Sequence, residues 1–211
     1  MDSVTTVIRF FQEGGIFMYP IMLILAGGLA IAIERYVFLW QARRVNLAYW
    51  QRVYPLLNDA RFNEAQELSM SGVALSHVMN YGLRRLRANG NALDVEAALQ
   101  EGLMEVMPSI EKRTHYLATF ANVATLLGLL GTIIGLIEAF TAVAHADPAQ
   151  KADLLSSSIS VAMNTTAFGL IVAIPLVLIY TMLQAKTTEI IDGIETSAVK
   201  FVNLVATRQS K

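Results

Sequence analysis

The side chains best suited to handling an ion lie in apolar surroundings. Thr132 and Glu138 fall in "GLLGTIIGLIEAF", residues 128–140, and Thr165 and Thr166 in "AMNTTAFGLIVAIPLVLIY", residues 162–180. In a dry channel a hydroxyl can replace part of an ion's water shell, and a carboxylate can gather cations at the mouth. A carboxylate within a membrane span is a functional candidate by default, because inserting it near the bilayer centre costs roughly 2.5–3.5 kcal/mol. Gly128, Gly131, Gly135 and Gly169 interleave with these groups. Gly131 and Gly135 form a GxxxG pair, which lets helix backbones approach closely.

Such groups need a membrane helix to carry them. The 211 residues are 55% apolar, above the 45–50% usual in soluble proteins. The excess sits in charge-free runs at 16–33, 117–137 and 154–185. About 20 apolar residues cross roughly 30 Å of hydrocarbon. The sequence therefore predicts an all-α membrane protein with three transmembrane helices, at 16–39, 117–143 and 157–183. Segment 1–15 reads as a short interfacial helix, 40–116 as a helical domain, 144–156 as a loop and 184–211 as a helical tail. Segment 40–116 holds nine Lys and Arg and the tail four, against Arg9 before the first span and Lys151 in the loop. By that asymmetry the domain and tail are cytoplasmic, and the N-terminus and loop lie outside.

Within the domain, Val95, Leu99, Leu103, Val106 and Ile110 form one apolar stripe, with Asn91 or Asp94 as its cap. Pro108 is the one break signal before the second span, so a single helix, kinked there, is expected to run from the domain into the membrane. Ile190, Ile191, Ile194, Ala198, Phe201 and Leu204 carry a second stripe along the tail. Glu34 and Arg35, at the end of the first span, read as a local ion pair with a snorkelling arginine.

On a helical wheel, Ala121, Ala124, Gly128, Gly131, Thr132, Gly135, Ala139 and Ala142 share one arc of the second span. Ser158, Ala162, Thr165, Thr166, Gly169 and Ala173 share one of the third. These narrow faces serve either close packing within one subunit or a pore or partner-facing surface. Threonines in both arcs favour the second reading. One three-helix subunit is not expected to bury both faces, so they also point to an oligomer.

Other chemistry lacks its residues. There is no cysteine, so no disulfide or thiolate metal site. His77, His115 and His145 have no metal-ligand spacing, and no phosphate loop, HExxH or nucleophile elbow occurs. The chain reads as a non-enzyme without cofactor or metal, and its net charge of −1 makes no case for nucleic acid.

The chain resembles the MotA/TolQ/ExbB ion-channel family, and most of its length takes part. "AIERYVFLW" is similar to the family's Glu-Arg signature. "LATFANVATLLGLLGTIIGLIEAF" and "AMNTTAFGLIVAIPLVLIY" resemble its second- and third-span motifs. Three spans resemble the TolQ/ExbB branch rather than MotA, which has four. The resemblance implies a homopentamer in the bacterial inner membrane around a dimer of a single-span ExbD/TolR-like partner. That partner carries the ion-binding aspartate and engages a TonB-like or TolA-like periplasmic effector. The implied motor is a proton channel that uses the ion-motive force to act on the cell envelope. The family's pore threonines correspond to Thr132 and Thr166. Val161 stands where ExbB and TolQ commonly have a glutamate. Glu138, nearly level with it by helix rise and at the edge of the small arc, is the candidate replacement. A non-conducting scaffold and the stator of a motility system are the competing readings.

Overall fold

A computed structural model describes residues 15–88 and 90–209. The interfacial helix expected over 1–15 lies outside them except for Gly15. The described residues form six helices: α1 (Met18–Asn58), α2 (Phe62–Leu68), α3 (Ala74–Arg87), α4 (Ala92–Glu111), α5 (Tyr116–His145) and α6 (Lys151–Gln209). No strand occurs among them. Three helical stretches are long and apolar enough to cross a membrane, so the chain is an all-α, multi-pass membrane protein. At 41 and 59 residues, α1 and α6 run well past the ~20 residues that a bilayer takes. Helix α6 starts at Lys151, inside the segment expected to be a loop.

The chain divides into two compact units. The first comprises residues up to Ile33 with Arg113–Thr181, and the second Glu34–Lys112 with the chain from Met182. The second unit has a conventional apolar core. Val95, Leu99, Leu103, Val106 and Ile110 are all buried, as their spacing predicts. So are Ile190, Ile194, Ala198 and Phe201 of the tail stripe, while Ile191 and Leu204 are half-buried. A Cβ on Gly82 would meet Leu99 at 2.7 Å and Phe201 at 3.0 Å, so glycine lets α3 lie close to both stripes. Helix α4 starts on a reciprocal cap. The Asn91 side chain accepts from the Asp94 amide at 2.9 Å, and the Asp94 carboxylate accepts from the Asn91 amide at 3.1 Å. On the exposed α3–α4 face, Tyr81 donates to Glu105 at 2.6 Å and His77 lies 3.1 Å from the same carboxylate. Those two bonds hold the Glu105 carboxyl below its usual range.

The expected single helix through 92–143 is in fact two. Helix α4 ends at Glu111, Arg113 takes a left-handed conformation at φ 66°, and α5 starts at Tyr116. A residue far away explains the break. Arg35 is 2% exposed, lies 4.5 Å over the Phe38 ring and donates to the Ile110 carbonyl. In a continued helix that carbonyl would accept from the amide of residue 114. A guanidinium at a helix C-terminus satisfies the carbonyl and favours the negative end of the helix dipole. Arg35 is therefore buried against the end of α4 and does not snorkel as expected.

Candidate functional site in the membrane helices

Within the first unit, α5 and α6 pack through their small residues. A Cβ on Gly169 would lie 2.7 Å from the Ala124 carbonyl oxygen and 3.1 Å from the Gly128 Cα. One on Gly128 would lie 3.2 Å from the Thr166 Cα, and one on Gly135 2.9 Å from the Ala162 Cβ. Gly131 faces the Thr165 side chain in the same way, with 3.0 Å to its Cβ. The two small arcs thus face each other and form one seam. This corrects the expectation that a single subunit cannot bury both, and most arc positions serve packing. The wheel identified both arcs but held no information about which surface each would meet.

Helix α1 covers one flank of that seam. A Cβ on Gly28 would lie 2.7 Å from Leu176, and one on Gly27 3.3 Å from the Phe120 ring. Phe17 approaches Gly131, and Gly15 approaches Val161, at 3.5 and 3.4 Å by the same measure. At about 100° per residue, Thr132 stands about 100–120° around α5 from Gly131 and Phe120. Thr166 stands about 80–140° around α6 from Leu176 and Val161. Both threonines therefore lie toward the flank that α1 leaves open, and both are half-buried. Exposed Leu129, Leu136 and Phe140 of α5, and Met163, Leu170 and Val177 of α6, surround them.

The other candidates are placed elsewhere. Thr165 is 2% exposed, packs on Gly131 and donates to the Val161 carbonyl at 3.0 Å. It belongs to the seam rather than to an outward-facing path. Glu138 is exposed, but seven residues from Gly131 return it to nearly the same direction, about 120° from Thr132. The Gly135–Ala162 contact puts Val161 level with residue 136, so Glu138 is two residues, about 3 Å, further out. The near-level placement expected of Glu138 and Val161 agrees with this register. Both fall on the α1 flank, however, and the hydroxyls on the other. Among the described residues no three His, Asp or Glu side chains gather to hold a metal.

The hydroxyl geometry limits the chemistry. Thr132 donates to the Leu129 carbonyl at 2.6 Å, and Thr166 donates across the seam to the Gly128 carbonyl at 2.8 Å. A hydroxyl has one proton to give and two lone pairs. With those protons given to backbone carbonyls, both oxygens keep lone pairs as acceptors. They suit a cation, a hydronium or a protonated acid, and offer no proton to an ionised carboxylate. Spacing located both threonines, but only the fold reveals this polarity.

Seam, open flank and hydroxyl pair define a helical membrane protein with a narrow acceptor strip along two of its spans. The chain belongs to the MotA/TolQ/ExbB proton channel family, whose model matches residues 72–196. It is 31% identical over 199 residues to a biopolymer transport protein ExbB homolog of Methanothermobacter thermautotrophicus, covering 90% of this chain and 67% of that protein. It is 34% identical over 105 residues to the Tol-Pal system protein TolQ of Haemophilus influenzae, covering 46% of each. Over 166 residues it is 28% identical to the biopolymer transport protein ExbB of Pseudomonas putida, covering 72% of this chain and 50% of that protein. The matches to TolQ and to the Pseudomonas protein thus span about half the length of each.

Proposed function

We infer that the chain is a non-enzymatic proton-conducting subunit of the ExbB/TolQ type in a bacterial inner membrane. It assembles as a homopentamer around a dimer of a single-span ExbD/TolR-like partner and drives that partner with the ion-motive force. The second unit faces the cytoplasm, which accords with the nine Lys and Arg of segment 41–115. The observation that carries this reading is the pair of acceptor oxygens at Thr132 and Thr166 on the open flank. A protonated partner carboxyl can donate to them as it arrives. Once ionised it loses its donor and is released toward water. The scaffold reading draws on the seam, whose glycines serve packing and which the Thr166 hydroxyl ties to Gly128, but it gives no role to the remaining acceptor lone pairs of two hydroxyls on an otherwise apolar flank.

The reading is tested by reconstituting the chain with a single-span partner encoded beside it and following proton uptake into vesicles under an imposed potential. Uptake that needs both proteins and the partner's carboxylate is the expected result. Uptake no faster than in empty vesicles, with the complex intact, would favour the scaffold. In the same assay Glu138→Gln is expected to stay within about twofold of the parent, since Glu138 stands on the flank away from the threonines. A change larger than about tenfold, worth 1.4 kcal/mol, would return that carboxylate to the pathway.

A further inference from the structure

We propose that the stripe Tyr36, Trp40 and Arg44 of α1, joined by Lys186 of α6, binds the phosphate headgroup of an anionic phospholipid. All four residues belong to the second unit. The three α1 residues are spaced at i, i+4 and i+8, so they lie along one face of the helix. Tyr36 is 53% exposed and Trp40 51%. The Arg44 guanidinium lies 4.5 Å from the Trp40 ring centroid, and the Lys186 ammonium 5.2 Å from that of Tyr36. Two helices thus bring a cation to one aromatic stripe.

Depth and charge select the ligand. Twenty residues from Ile16 end at Arg35, so the stripe begins where α1 has crossed roughly 30 Å of hydrocarbon. Tyr and Trp favour the membrane–water interface, and basic pockets between helices at that level take anionic headgroups. Of the nearby charges, Arg43 is already paired with Glu189 at 2.7 Å. Glu34, two residues from Tyr36, points about 160° away around α1. Among the described residues neither Arg44 nor Lys186 makes an ion pair. A guanidinium matches phosphate bidentately and an ammonium adds a point charge, while ring stacking holds both cations in place.

The sequence has two tryptophans, so Trp50→Phe leaves Trp40 as the sole indole reporter in the full chain. The protein is placed in phosphatidylcholine bilayers containing equal fractions of either dibrominated phosphatidylglycerol or dibrominated phosphatidylcholine, and Trp40 quenching is compared. Phosphatidylglycerol is expected to be enriched roughly 30-fold beside Trp40, in line with two surface cations. In Arg44→Gln/Lys186→Gln the two lipids should quench within twofold of each other, with phosphatidylcholine quenching and helicity unchanged. Equal quenching in the parent would overturn the proposal. So would a preference that survives the double substitution, because other charges would then hold the lipid. Quenching by neither lipid would show protein covering the stripe and overturn it equally. Arg44→Lys, which keeps the charge, should retain most of the preference, and this separates headgroup binding from a merely structural role.

Discussion

Gly169→Val is expected to destabilise the first unit by at least about 1–3 kcal/mol, the usual cost of overpacking a filled interior. A Cβ there would lie 2.7 Å from the Ala124 carbonyl oxygen and 3.1 Å from the Gly128 Cα. Both are backbone atoms, so no rotamer change relieves the clash, and α5 and α6 must separate. The control is Gly193→Ala, where nothing lies within 4 Å of the added Cβ. Replacing glycine in a helix interior gains up to about 1 kcal/mol, so the two variants should move in opposite directions. Chemical unfolding in detergent reads both, and Gly169→Val melting with the parent would mean that the seam is not tight. Gly131→Ala tests the same seam differently, because it strikes the Thr165 side chain rather than backbone. Adding Thr165→Ser removes the methyl group in the way and should recover most of the loss.

The chain's chemistry was legible in proportion to how local it is. The α4 stripe and its cap depend on residues within a few turns, and Val95, Leu99 and Asn91 lie as their spacing predicts. The small arcs were legible as narrow faces. Their antiparallel engagement was not, because a wheel describes one helix and the seam is a property of two. Thr165 and Thr166 are adjacent in sequence, yet one is sealed under Gly131 and the other stands on the open flank. A rotation of 100° separates those roles, and only the position of α1 decides which flank is free. The α4–α5 break was hidden for a related reason. Its cause, Arg35, lies 75 residues from the carbonyl it reaches, and no local signal at 111–115 announces it.

Thr132→Val should separate ion transfer from folding more cleanly than any other substitution. The Thr132 hydroxyl donates to the Leu129 carbonyl of its own helix, a carbonyl that helix geometry also supplies with an amide from residue 133. Valine has nearly the same shape, so the fold should lose no more than the ~0.6 kcal/mol typical of a side-chain hydrogen bond in a membrane protein. The acceptor disappears, however. A protonated carboxyl arriving at that depth would then be buried without a partner, at a cost of about 1–3 kcal/mol. Proton uptake in reconstituted vesicles should accordingly fall about 5- to 150-fold, with the thermal midpoint nearly unchanged. Thr166→Val should lose uptake and also some stability, because its hydroxyl ties α6 to Gly128 across the seam. Both threonines converge there: the Gly128 carbonyl that takes the Thr166 proton is also the helical acceptor for the Thr132 amide. Thr132→Ser keeps the oxygen and should retain uptake within about threefold. If serine fails as badly as valine, the methyl group rather than the lone pair matters, and the acceptor mechanism is lost. If Thr132→Val conducts normally in an intact complex, the open flank has no part in carrying the ion.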